Sequence, residues 1–238
     1  MNVDILAIGV HPDDIELSCS GTLLQHIALG YKVALLDLTC GELGTRGSAE
    51  LRLEEAAVAS KMLGAVVRGN LEFEDGFFEH NQENLIKIIE MIRFLKPKII
   101  LANAVSDRHP DHGRAAKLVS DACFLSGLVK IETELYDEPQ QPWRPDVVYH
   151  YIQDHNLKPD FVVDISPFMN QKLEIIQAYK SQFFDPESKE PETPISSKDF
   201  LEFIKSKNRT YGRPAGFEFG EGFTVARTIG VHSLFNIK

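Results

Sequence analysis

Two short stretches concentrate the residues that can do chemistry: His11-Pro12-Asp13-Asp14, and Asp107-Arg108-His109-Pro110-Asp111-His112-Gly113. Imidazole nitrogen and carboxylate oxygen are ordinary ligands of divalent metals. A catalytic zinc site uses three such ligands and leaves a position open for water. His11, Asp14 and His112 would supply a His₂Asp set. The i, i+3 spacing of His11 and Asp14 lets both point inward from the first turn after a strand, and Pro12 fixes the backbone of that turn. Asp13 is then left beside the water, placed to take its proton. A cation also turns the repulsion of two adjacent carboxylates into attraction. Plainer readings exist: Asp13 and Asp14 suit a helix N-terminus, and HPDHG is rich in turn formers. Two His/Asp clusters after separate strands favour the metal over either.

The elements that must position these loops alternate. Residues 3–10 and 32–39 read as buried strands, short and apolar. Ile15, Leu17, Leu23, Leu24, Ile27 and Ala28 recur at helical spacing between them, with Gly30 as a stop. Residues 48–63 predict a helix capped by Ser48 and closed by Gly64, and 82–95 predict another, ended by Pro97. A weak strand lies near 66–68 and a stronger one at 98–102. A helix is expected from Gly113 to about Leu125, an irregular connection over 131–145, and strands at 147–152 and 161–165. Helices near 168–181 and 198–207 flank an exposed Pro- and Glu-rich loop at 185–194. The tail from Tyr211 is Gly-rich and aromatic.

Strands alternating with helices imply right-handed crossovers and a Rossmann-like α/β fold, a mainly parallel sheet flanked by helices. The chain reads as a single domain over 1–238, with a core to about 130 and a C-terminal elaboration over about 131–238. In such a sheet, ligands collect at the carboxyl ends of the strands near a topological switch point. Both His/Asp loops follow strands there. Tyr149 and Tyr151 share one face of their strand and His150 takes the other, which suits core packing, an oligomer interface or a substrate contact equally.

The 238 residues include 35 acidic and 25 basic ones, a formal charge of −10. That disfavours nucleic acid and anionic membranes as partners. No apolar run approaches the roughly 18 residues of a membrane span, and no N-terminal secretory signal is visible. Cys19, Cys40 and Cys123 are widely spaced, as expected of reduced thiols in a cytoplasm.

GVHPDDIELSCSGTL resembles the (A/G)HPDDxE signature of the LmbE-like, or PIG-L, family of metal-dependent N-acetylglucosaminide deacetylases, and SDRHPDHGRA resembles its second signature, HPDH. GELGTRGSAELRLEEA (41–56), RPDVVYHYI (144–152) and GRPAGFEFGEGF (212–223) extend the likeness toward the bacillithiol branch, whose members deacetylate N-acetylglucosaminyl malate. Val10 stands where the family often has alanine.

The resemblance implies zinc on His11, Asp14 and His112, with Fe(II) also suited to those donors. It makes Asp13 the general base, a protonated His109 the group that polarises the oxyanion, and Asp111 the holder of a histidine. It further implies a Rossmann-like fold, a homo-oligomer such as a hexamer, and a small sugar conjugate bearing a carboxylate. Arg52, Arg108 and Arg46 are the candidates to grip that carboxylate.

Broader amidase activity on thiol conjugates, or deacetylation of free or oligomeric N-acetylglucosamine, keeps the same site. A nucleotide-binding module is disfavoured, because GVHPDD replaces the G-x-G-x-x-G turn. A structural or storage metal protein would need a fourth protein ligand.

Overall fold

The structure, a computed structural model, describes residues 2–236. β1 (Ile5–Gly9) is buried throughout, and its alternate side chains enter two different cores. Ile5 and Ala7 pack on one side of the sheet and Leu6 and Ile8 on the other. A strand covered on both faces must be apolar at every position, which is why ILAIG shows no polar alternation. α1 (Asp14–Ala28), β2 (Val33–Thr39), α2 (Ala49–Leu63), β3 (Val67–Phe73), α3 (Gln82–Leu95), β4 (Ile99–Ala102) and α4 (Pro110–Leu125) follow in strict alternation. Ser48 caps α2 through the Leu51 amide, and Gly64 ends it in the left-handed region.

Downstream lie the hairpin β5 (Glu134–Leu135) and β6 (Glu138–Pro139), then β7 (Val147–Tyr151), β8 (Phe161–Asp164), α5 (Met169–Ile176), α6 (Phe200–Gly212) and β9 (Gly220–Thr224). The main sheet has seven strands in the order β3-β2-β1-β4-β7-β9-β8. β1 pairs parallel with both β2 and β4, and β4 with β7, whereas β9 runs antiparallel between β7 and β8. The order reverses between β1 and β4. That reversal is the switch point, and the two His/Asp loops open from it side by side.

Several boundaries differ from the sequence expectation. α4 starts at Pro110, inside the HPDH stretch, because His109 serves as its N-cap and Pro110 takes the first helical position. α5 ends at Ile176, short of the expected 181, and α6 runs on to Gly212. The 131–145 connection holds the small hairpin. The Gly-rich tail supplies β9, a full strand of the sheet.

Candidate metal centre and its cleft

The turn after β1 folds tightly because Gly9 has no side chain. A Cβ there would sit 3.0 Å from Ile15 Cγ1 and 3.2 Å from Asp14 Cβ. Asp13 then takes φ 110°, a left-handed conformation, and makes no capping bond to α1. Such a backbone costs about 1–3 kcal/mol and persists where function requires it. The side chain turns instead to Arg52, whose Nη2 donates to Asp13 Oδ2 at 3.1 Å and to Pro12 O at 3.0 Å, while Nη1 donates to Gly41 O at 3.1 Å.

Asp14 is held from several sides. Its Oδ2 accepts from the amides of Val10 and His11 at 3.1 and 3.0 Å and from Asn103 Nδ2 at 2.9 Å. Its Oδ1 accepts from Gln153 Nε2 at 2.9 Å and lies 3.2 Å from His112 Nε2, and its Oδ2 lies 3.7 Å from His11 Nδ1. The carboxylate thus stands between the two rings, whose centroids are 5.8 Å apart.

Each ring is oriented by a carboxylate behind it. His11 Nε2 donates to Asp75 Oδ1 at 2.9 Å, with Asp111 Oδ2 at 3.5 Å, and His112 Nδ1 donates to Asp107 Oδ2 at 2.5 Å. These partners fix the ring orientations and leave His11 Nδ1 and His112 Nε2 facing Asp14. Carboxylate–histidine–metal arrangements have this form. The donor set therefore fits a divalent metal.

Among the described residues, two groups of side chains bring ligand atoms within 4.8 Å of one another, His11–His109–His112 and His11–Asp75–Asp111; Asp14 belongs to neither. The acids of the second group are also held by other partners. Asp75 Oδ2 accepts from the Leu43 amide, and Asp111 is engaged by the Gly76 amide and Arg114. In the first group, His109 Nδ1 accepts from the Asp111 amide at 3.3 Å, which leaves only its Nε2 for the cleft.

The protonation pattern follows from the same contacts. Burial pulls His11 down, but Asp111, Asp75 and Asp14 outweigh it and lift the ring to about 10. Burial likewise opposes Asp14 and Asp107 at His112, which ends at about 9. A field this negative welcomes a cation. Burial, reinforced by Asp14 and opposed by Arg52, raises Asp13 to about 7. His109 is pushed below the ordinary histidine range by burial and by the two neighbouring histidines.

The cleft over these residues has a volume of about 280 Å³. Of the three candidate arginines, Arg52 and Arg108 line it. Arg52 is committed to Asp13, and Arg108 is paired with Asp154 at 2.8 Å. Arg46 is not among the lining residues. It is buried, donates to Ser188 and lies 3.7 Å from Glu190. The sequence reading missed Asp75, Asn103 and Gln153 and assigned Asp107 no role. All four lie just beyond the carboxyl ends of β3, β4 and β7. No described helix is long and apolar enough to cross a membrane.

The chain is similar to known proteins over much of its length. Residues 6–123 match the PIG-L family, described as GlcNAc-PI de-N-acetylase. The conserved protein TT1542 from Thermus thermophilus superposes with a TM-score of 0.85 at 35% identity, over 97% of this chain and 98% of that one. A diacetylchitobiose deacetylase of Thermococcus kodakarensis is 29% identical over 96% of this chain and 85% of its own length. A probable N-acetyl-alpha-D-glucosaminyl L-malate deacetylase 2 of Bacillus anthracis is 25% identical over 75% of this chain and 81% of its own length. With both His/Asp loops inside the matched region and a near full-length structural relative, the chain belongs to the PIG-L (LmbE-like) family of metal-dependent deacetylases.

Proposed function

We propose that the protein hydrolyses the N-acetyl group of a small N-acetylglucosamine conjugate, foremost N-acetylglucosaminyl malate in bacillithiol biosynthesis, as a homo-oligomeric cytoplasmic enzyme. Zinc is held by His11, Asp14 and His112; Fe(II) suits the same donors. One observation carries this reading: His11 Nδ1 and His112 Nε2 face Asp14, while Asp75 and Asp107 hold the opposite nitrogens. When bound, the metal polarises the acetyl carbonyl and acidifies water.

The chain's own residues do the rest. Asp13, lifted toward neutrality and steadied by Arg52, takes a proton from the attacking water as the new carbon–oxygen bond forms. It returns that proton to the sugar nitrogen as the carbon–nitrogen bond breaks, releasing acetate and the free amine. His109 Nε2–H donates to the developing oxyanion, a contribution of roughly 3–4 kcal/mol for a preorganised donor. Asp111 and Asp75 keep His11 aimed. Arg108, at the exposed rim, meets a carboxylate on the aglycone by exchanging its Asp154 partner.

A neutral second sugar in place of malate is the competing substrate, supported by the similarity to the diacetylchitobiose deacetylase across nearly the whole chain. Metal analysis paired with amine-release assays on N-acetylglucosaminyl malate, diacetylchitobiose and N-acetylglucosamine tests the proposal. The malate conjugate is expected to show the highest kcat/KM. His11→Ala should lose metal and activity together, and Asp13→Asn should keep the metal while kcat falls by about 100-fold or more. A metal-free His11→Ala protein with full activity overturns it.

A further inference from the structure

A second wall of the cleft, apolar where the first is charged, is built by α6. Phe200, Phe203, Ile204 and Lys207 all line it, an i, i+3, i+4, i+7 stripe on one helical face, with Pro194 and Ile195 beside them. Lys207 is the charged member of an otherwise apolar stripe. Its ammonium donates to Ile152 O at 3.3 Å. Among the described residues it is the Lys or Arg of the cleft with no carboxylate within 4.0 Å, since Arg52 is paired with Asp13 and Arg108 with Asp154.

An ammonium has three donors, and here one is spent on a long bond. Burying a charge without a counter-ion costs free energy, so burial pulls Lys207 down to about 8, with Lys172 acting in the same direction. Asp107, Asp154 and Glu221 oppose this from beyond ion-pair distance. The side chain thus stays cationic at neutral pH with two unspent donors in a ligand-sized cleft. The protein has ten more acids than bases, yet none is placed against this base.

We propose that Lys207 anchors a negatively charged group, a carboxylate, on the aglycone of the substrate, and that it selects anionic over neutral conjugates. This rests on the deacetylase reading above and makes it more specific. The apolar stripe of α6 packs the carbon skeleton, and the ammonium at its end completes an ion pair that only an acidic aglycone provides.

Titration calorimetry on the metal-loaded protein tests this with two probes: glucosaminyl malate, and methyl glucosaminide, the same amino sugar without the acid. Lys207→Met is expected to weaken glucosaminyl malate by about tenfold, the scale of one charge-assisted contact, and to leave methyl glucosaminide unchanged. Lys207→Arg should restore most of the loss. In kinetics the same Met variant should raise KM for N-acetylglucosaminyl malate with kcat preserved. Equal weakening of both probes, or unchanged binding of glucosaminyl malate, overturns the proposal. A wild-type protein that deacetylates none of the sugars defeats the proposed function instead, while the calorimetric comparison still decides the role of Lys207.

Discussion

Adjacent aspartates divide their work because their surroundings differ. Asp14 accepts three hydrogen bonds on Oδ2, which also faces His11, and turns Oδ1 to His112, which together hold its carboxyl below the usual range against the burial that opposes ionisation. Asp13 has one guanidinium for company, and burial lifts it. One is built to stay ionised and the other to exchange a proton. The supports behind the rings decide how well the pair can hold a metal. Asp107→Asn leaves His112 without its carboxylate and should lower metal affinity by about 10–100-fold, read by competition with a chromogenic chelator. Asp75→Asn should cost less, because Asp111 remains 3.5 Å from the same His11 nitrogen. His11, Asp13, Asp14, His109 and His112 were legible in the sequence because two loops gather them at short spacing. Asp75, Asn103 and Gln153 were not, because no local spacing marks them and only the sheet order brings them to the switch point.

At the level of elements, the alternating first half was readable because strands buried on both faces are continuously apolar. The second half was harder. β9 lies in GEGFT, where two glycines dilute the strand signal, yet Gly220 is required: a Cβ there would approach Val162 Cγ1 to 2.4 Å. β7 was seen, but not what its histidine does. His150 Nδ1 donates to Asn103 O at 2.8 Å and Nε2 accepts from Ser120 at 3.1 Å, so β7 is tied to α4 and to the residue whose side chain holds Asp14. Burial lowers the pKa of His150, with the Asn103 contact opposing. The group is a base whose folded pKa lies below its unfolded value near 6.5. Its contribution is therefore whole above about pH 6.5 and is lost as the pH falls toward the folded value. Urea unfolding between pH 7.5 and about 5 should show a steeper loss of stability in the wild type than in His150→Asn, which keeps a donor toward Asn103 and cannot titrate. Equal slopes would remove His150 from the acid response.

For the whole molecule, the division into a core to about 130 and a later elaboration describes topology better than energetics. One hydrophobic cluster unites Ile5, Ile15 and Leu35 with Tyr151, Ile165, Ile176 and Phe223, so the core on that face of the sheet is shared between the two parts. A buried ion pair makes the same connection through polar atoms. Lys172 of α5 and Glu221 of β9 meet at 2.5 Å with both side chains fully buried. Glu221 also accepts from the Gly21 and Thr22 amides within α1, and Lys172 donates to Leu17 O. Two late elements thus insert into the backbone of the helix that begins at Asp14. Removing one member leaves the other charge buried and two α1 amides unpaired. Glu221→Ala should therefore destabilise the protein by about 3–5 kcal/mol, measured as a shift in the urea midpoint. The transition should remain single and cooperative by far-UV circular dichroism and by Trp143 fluorescence. Two separated transitions would instead show that the elaboration unfolds on its own and that the metal-binding loops do not depend on it.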